Sequence, residues 1–333
     1  MNVQQRKDLL ARLGDYIAGN DEAWLHAQER ASEANRWFTS EFIQLSAQNI
    51  ARSFLQPQQL QELIDRYRIP DTQPLMRKVG IVMAGNIPLV GFHDLMCVFL
   101  SGHQALIKPS SRDEVMIKHL VNKLAEWAPE AAQHASVQDL LRNCDAYIAT
   151  GSNNSARYFE HYFGKYPSII RRNRTSVALL RGDESPETLS LLADDVYQYF
   201  GLGCRNVTQI YVPKDYDFIP LLKAFSRYDY LANHNKYKNN YDYNLAAHLL
   251  NKRYFMSNES LLLVEDPSPF SAIAQLHYQF YEDPAPILER LRKSDDIQCV
   301  VSSEDLPFGS AQVPEADDFA DGVDTLSFLL NLK

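Results

Sequence analysis

The stretch VGIVMAGNIPLVGFHDLMCVFLSGHQALIKPS, Val79 to Ser110, decides how this chain is read. It opens with an apolar, β-type run that closes on Gly85-Asn86-Ile87-Pro88. A helix-type segment follows and ends at Gly102, where glycine suits a helix C-terminus. A second β-type run, QALIKP, then leads into Lys108-Pro109-Ser110. Strand, helix and strand within about thirty residues predict a βαβ unit with parallel strands.

The alternation continues on both sides of this unit. Residues 1–70 are rich in Gln, Arg, Leu and Glu, with apolar residues at helical spacing, as in LQELIDRY, and predict a helical leader. After Ser110 come a helix around Glu114–Trp127, a strand DAYIATG, a helix from Ser152 to Gly164, a strand SVALL and a helix Pro186–Phe200. The pattern restarts beyond Cys204 with strand VTQIYVP and helix FIPLLKAF. A Tyr/Asn-rich stretch, read as a loop over residues 226–244, precedes strand SLLLVED, helix PAPILERLRK and strand IQCVVS. The fold class is α/β: a wound, mostly parallel sheet, a second and smaller α/β unit, and a helical N-terminal leader. The junction of the two units falls near Cys204.

Composition narrows the chemistry. The chain has 333 residues, 45% hydrophobic, enough for one large or two smaller cores. Its net charge of −9 argues against a nucleic-acid partner. No stretch approaches the roughly 20 apolar residues of a membrane span, and MNVQQRKDLLARLGDYI lacks the apolar run of a secretion signal. Cys97, Cys144, Cys204 and Cys299 show no CxxC pairing and no His cluster, which argues against a zinc site or a disulfide framework and for a reduced, cytoplasmic setting. No metal is expected.

Four segments carry candidate chemistry, each with a plain alternative. Cys204 sits in Phe200-Gly201-Leu202-Gly203-Cys204-Arg205-Asn206, where a cation and backbone N–H groups favour a thiolate; it is equally a buried thiol at a strand start. Asn86 could donate its amide to an oxyanion or simply make a turn. Lys108, at a strand's carboxyl edge, could hold a ribose or phosphate or be a solvated lysine. Thr150-Gly151-Ser152 starts a helix whose N–H groups suit an anion, or is an ordinary cap. The GxGxxG fingerprint is absent. His93 could approach substrate or pack, and the apolar run around it could line an acyl channel or be core.

In this order and spacing, these segments resemble the aldehyde dehydrogenase superfamily, in its LuxC-type acyl-CoA reductase branch. The resemblance runs from about Val79 to Leu332, and residues 1–70 look like the branch's helical leader. It implies that Asn86 is the oxyanion donor, although the proline usual two residues before it is missing. It implies that Lys108 binds the adenosine ribose, that Thr150, Gly151 and Ser152 lie by the pyrophosphate, and that Cys204 is the nucleophile. Pro307-Phe308-Gly309 matches a late Pro-Phe-Gly motif. The implied domains are a leader at 1–70 packed on the cofactor domain, an NAD(P)-binding domain at 71–200, a catalytic domain at 201–306, and a segment 307–333 returning to the cofactor domain or a dimer interface.

Departures from the superfamily pattern refine the implied activity. Hydrolytic members carry a water-activating glutamate where this chain has Ile170-Arg171-Arg172-Asn173-Arg174. Losing a general base costs about 10²–10⁴ in rate, so a thioester intermediate would survive to be reduced. The arginines, Arg171 and Arg172 among them, could instead attract the phosphates of coenzyme A. Where NAD-preferring members often place a glutamate, Ser111 stands here, followed by Arg112, which favours NADPH over NADH. The nicotinamide-ribose motif survives only as Glu265-Asp266-Pro267-Ser268-Pro269-Phe270.

The implied function is NAD(P)H-dependent reduction of a fatty acyl-CoA, or another acyl-carrier thioester, to an aldehyde. The alternatives are a reductase subunit fed by an acyl-protein synthetase partner, a hydrolytic aldehyde dehydrogenase, and a silent scaffold. A homodimer is implied by the resemblance alone.

Overall fold

The computed structural model of the protein describes residues 1–332. The chain forms two compact units, Met1–Asn173 together with the chain end from Glu315, and Arg174–Pro314.

The first unit opens with four helices, α1 (Val3–Ala18), α2 (Glu22–Ala34), α3 (Ser40–Ser53) and α4 (Pro57–Tyr67). α1, α3 and α4 each bury one apolar face set by the spacing of their leucines and isoleucines, and α2 buries Trp24, Ala27 and Ala31. The indole N–H of Trp24, fully buried, donates to the Ile17 carbonyl at 3.0 Å. A sheet of five strands follows: β1 (Lys78–Val82), β2 (Gln104–Lys108), β3 (Ala135–Val137), β4 (Ala146–Thr150) and β5 (Ser168–Arg171). Their order is β3-β2-β1-β4-β5, every pair parallel. Helices α5 (Phe92–Ser101), α6 (Glu114–Trp127) and α7 (Asn153–Phe163) connect the strands.

Every residue of α5 except His93 is buried, so the apolar run around it is core. Gly102 ends α5 in the left-handed region with φ +86°, and the buried Arg6 of α1 donates to the Leu100 carbonyl at 3.1 Å. That bond satisfies a carbonyl the helix end would orphan, and it ties the leader to the α/β core.

The second unit contains a six-stranded sheet of β6 (Thr175–Leu179), β7 (Val207–Pro213), β8 (Met256–Ser257), β9 (Leu262–Glu265), β10 (Gln275–Tyr281) and β11 (Ile297–Val301). Its order is β11-β6-β7-β10-β9-β8, parallel except for β8 against β9. Helices α8 (Pro186–Tyr197), α9 (Phe218–Phe225), α10 (Asn235–Leu250) and α11 (Pro284–Arg292) belong to this unit, and α12 (Thr325–Leu330) packs back on α5 in the first.

Several features differ from the sequence reading, which carries no strand at Ala135–Val137, Ser168–Arg171 or Met256–Ser257. The fold boundary falls at Asn173/Arg174 and not at 200/201, because β6 pairs on both sides within the second sheet. Residues 307–314 likewise stay with the second unit. The stretch 226–244 is not a loop: a short 3₁₀ segment leads into α10, which buries Tyr237, Tyr241, Asn244 and His248 at helical spacing. Its polar composition hides that face from a hydrophobicity pattern. The segment QLHYQFY, which carries no strand in the sequence reading, forms β10 at the interior of its sheet.

Candidate active site

In the first unit, Asn86, Lys108 and Thr150 stand at or just beyond the carboxyl ends of β1, β2 and β4, three neighbouring strands. The strand order reverses direction at β1/β4, the kind of switch point where wound sheets bind ligands. The β1 and β2 ends are packed without spare room: a Cβ on Gly85 would lie 2.6 Å from Ser110. The Met83 N–H donates to the Lys108 carbonyl at 3.1 Å. Asn86 is half-buried on this loop, and Lys108 is exposed.

The loop after Asn86 is held from two sides. The Ser46 hydroxyl donates to the Pro88 carbonyl at 2.7 Å, and the Leu89 N–H donates to Asp113 at 2.7 Å, with Leu89 itself left-handed at φ +57°. Burial pushes the Asp113 carboxyl well up, against the pull of that one backbone donor. Ser111 and Arg112 lie exposed just ahead of α6, where the Arg112 carbonyl accepts from Asn35 at 3.2 Å.

Ser152 caps α7, accepting from the Ser155 N–H at 3.3 Å. Gly151 has no room for a side chain, since a Cβ would meet Ser155 at 2.8 Å and Phe159 at 2.9 Å. α7 starts directly after β4; the Gly151 N–H donates to the Arg171 carbonyl at 3.3 Å, and a helix N-terminus at a strand's carboxyl end is a favourable place for a phosphate. An exposed lysine, a helix N-terminus and a switch point together form a donor set suited to an anionic dinucleotide.

The second unit carries Cys204 on a turn between α8 and β7. Tyr199, Phe200 and Gly201 are left-handed in succession, with φ +54°, +58° and +72°. For each non-glycine residue that conformation costs about 1–2 kcal/mol, so neighbours must impose it. Asn206, fully buried, accepts from the Gly203 N–H at 2.8 Å and donates to the carbonyls of Asp195, Val196 and Gln198 at 3.1, 3.3 and 2.9 Å.

The Ser176 hydroxyl donates to the Cys204 carbonyl at 3.0 Å and stands 3.0 Å from the Cys299 sulfur. Cys204 is half-buried. The other thiols are held neutral: burial raises the pKa values of Cys97 and Cys144 and pushes Cys299 up to about 11. Arg205 donates to the Ala311 carbonyl at 3.3 Å. Asp195 accepts from the N–H groups of Gly309 and Ala311 at 2.7 and 2.9 Å, tying the Pro-Phe-Gly segment to α8.

Several expected residues serve the fold instead. His93 donates through Nε2 to the Ala316 carbonyl, 2.8 Å away, and packs on Phe54 and Phe319. Burial lowers its pKa, and the ring is engaged in packing and in that one hydrogen bond. Arg171 is 4% exposed and donates to Asp94 at 2.6 Å and to Thr325 at 3.0 Å. It is no phosphate cradle, because a buried guanidinium needs its charge partner. Arg172 is exposed and ion-paired with Glu160, available to an anion only in exchange for that carboxylate. Arg174 donates to the Ile297 carbonyl at 3.3 Å. Asp266 pairs with Arg253 at 2.6 Å.

Asn206, Ser176 and Asp195 escape the sequence reading. Asn206 leaves one signal, a buried-type position given to a polar residue two places after the cysteine; Asp195 leaves none.

Among the described residues, no group of His, Cys, Asp or Glu could hold a metal ion, and no helix is long and apolar enough to cross a membrane. The parallel sheet with its strand-end motifs, together with a second α/β unit bearing the cysteine turn, defines the aldehyde-dehydrogenase class of fold. Solved structures agree. An oxidoreductase from Marinobacter aquaeolei matches with a TM-score of 0.67 at 10% identity, over 91% of this chain and 74% of its own. An E. coli NADP-dependent enzyme gives 0.67 at 12%, over 91% and 73%. The indole-3-acetaldehyde dehydrogenase of P. syringae, a cysteine-to-alanine mutant in complex with NAD+ and IAA, gives 0.64 at 13%, over 91% and 72%. No curated protein sequence matches. The family model for acyl-CoA reductase (LuxC) matches residues 44–220, more than half of the chain, and the protein belongs to that family. It is an oxidoreductase of the aldehyde and acyl-thioester class.

Proposed function

We propose that this protein reduces an acyl thioester, carried by coenzyme A, to an aldehyde through an S-acyl intermediate on Cys204, with NADPH as reductant. The observation that carries this reading is the segment Ile170–Arg174. It supplies arginines, engaged as described above, where a hydrolytic enzyme needs a carboxylate to activate water.

The Cys204 thiolate attacks the thioester carbonyl, forming a carbon–sulfur bond, and the carrier leaves as its thiolate and takes a proton. The resemblance assigns Asn86, with the backbone N–H of Cys204, to the oxyanion of the tetrahedral intermediate; one such donor is worth about 2.7–4 kcal/mol. Lys108 would hold the adenosine ribose, and Thr150, Gly151 and Ser152 would hold the pyrophosphate at the start of α7. Arg112, with Ser111 in place of an acid, accepts a 2′-phosphate. A reduced nicotinamide held by these residues would supply the hydride for reduction of the acyl group, with the cysteine thiolate as leaving group. Without a base, water competes poorly for the acyl group.

The test is incubation with a fatty acyl-CoA and NADPH, following the reduced cofactor by absorbance. Mass spectrometry after exposure to acyl-CoA without reductant should locate the acyl group on Cys204. A Cys204→Ala protein that oxidises NADPH as fast as the parent, or a product that is acid and not aldehyde, overturns the proposal.

A further inference from the structure

We propose that Asn206 is the positioning residue of the nucleophile, its carboxamide locking the left-handed turn Tyr199–Gly201 and the turn Gly203–Asn206 into the one arrangement that aims Cys204. The inference rests on the reading that Cys204 is acylated and deepens it.

Helix α8 ends at Tyr197, so its last carbonyls lose their intrahelical partners. The chain then makes three left-handed residues in a row, two of them large and aromatic. Such a segment persists only where its surroundings over-determine it. Asn206 supplies that determination from the threshold of β7. Its N–H₂ spreads over the carbonyls of Asp195, Val196 and Gln198, spanning the end of α8 and the entrance to the left-handed turn.

The same side chain's oxygen accepts from Gly203, the residue before the cysteine, and the Asn206 N–H donates to the Gly203 carbonyl at 3.1 Å. The Asn206 carbonyl in turn accepts from the Ser176 N–H at 3.1 Å, which anchors the turn to β6. One residue thus bonds the backbone before Cys204 and the sheet after it. No other side chain of this length offers both a donor pair and an acceptor: aspartate keeps the acceptor and loses the donors, leaving three carbonyls against a carboxylate.

The test compares the parent with Asn206→Asp. Cys204 reactivity is read as the rate of alkylation by iodoacetamide across pH, with peptide mass spectrometry assigning the site. The expected result is a displaced alkylation profile and a kcat lower by about 100-fold, with KM for NADPH changed by less than about twofold. A residue that only stabilised the fold would lower the melting temperature and leave the profile of the folded protein in place; that outcome overturns the proposal. Should Asn206→Asp fail to fold, amide exchange of the parent decides. The Gly203 N–H must exchange as slowly as the amides of β7, and exchange at an open-loop rate overturns the assignment. A parent that alkylates readily at Cys204 but takes no acyl group refutes the reductase reading alone, because the alkylation profile still reports the turn.

Discussion

Arg171 and Asp94, 77 positions apart in sequence, form a buried ion pair at 2.6 Å that joins the end of β5 to α5. Thr325, on α12, completes the arrangement from the chain's far end. A buried pair is costly to break, because the partner left behind is an unpaired charge in a dry interior. Asp94→Ala should therefore destabilise the protein by about 3–5 kcal/mol, measured by denaturant unfolding. The double variant Asp94→Leu with Arg171→Met should recover much of the loss. A single-variant cost below about 1 kcal/mol, the range of exposed pairs, would show that this pair is solvated.

Gly85 and Ser110 touch so closely that a methyl group cannot enter. Gly85→Ala should push apart the loops that carry Asn86 and Lys108, lowering kcat/KM by about 100-fold, the scale of a 1 Å misplacement. Placing Ser110→Gly in the same chain removes the two nearest atoms, leaving Arg112 Cβ at 3.2 Å, and should restore part of the activity. An active Gly85→Ala single variant would show that these loops do not need their observed spacing.

The proposed preference for NADPH rests on Ser111 and Arg112. Ser111→Glu with Arg112→Ser should shift the kcat/KM ratio of NADPH to NADH towards NADH by about 10- to 100-fold, the value of one charge-assisted contact replaced by a repulsion. Steady-state kinetics with the two cofactors measures it. An unchanged ratio would move the determinant elsewhere.

Asp195 gives a pH dependence with a definite sign. Burial pushes its carboxyl up to about 7, although the Gly309 and Ala311 N–H groups pull it down. Below the ordinary carboxylate range both folded and unfolded chains hold the proton, and the stabilising contribution is complete. As pH rises towards 7 the unfolded chain releases its proton first, so stability falls by up to about 1.4 kcal/mol per pH unit and levels off above 7. Asp195→Asn should flatten that segment of the stability curve. Parallel curves for parent and variant would show that Asp195 titrates at its ordinary value.

The strand–helix alternation, the ends of β1, β2 and β4, and the glycine turn bearing Cys204 were all legible in the residues. Each depends on local chemistry: apolar periodicity makes strands and helices, and Gly, Asn and Pro punctuate them. β10 and α10 were not legible, because QLHYQFY and the Tyr/Asn-rich stretch become a central strand and a one-faced helix only through what packs against them.

By itself, then, the sequence determined the fold class, the family and the order of the candidate motifs, since these follow from patterns a few residues long. Only the tertiary structure decided which polar residues are spent on holding the chain together. His93 is bound to Ala316, Arg171 to Asp94, and Asp195 to Gly309. It also brought the Asn206 carboxamide against Gly203 and Gln198 on either side of the cysteine turn's entrance. Whether a charge meets a ligand or a partner from its own chain depends on contacts across 77 to 223 positions, and separations of that length leave no local trace.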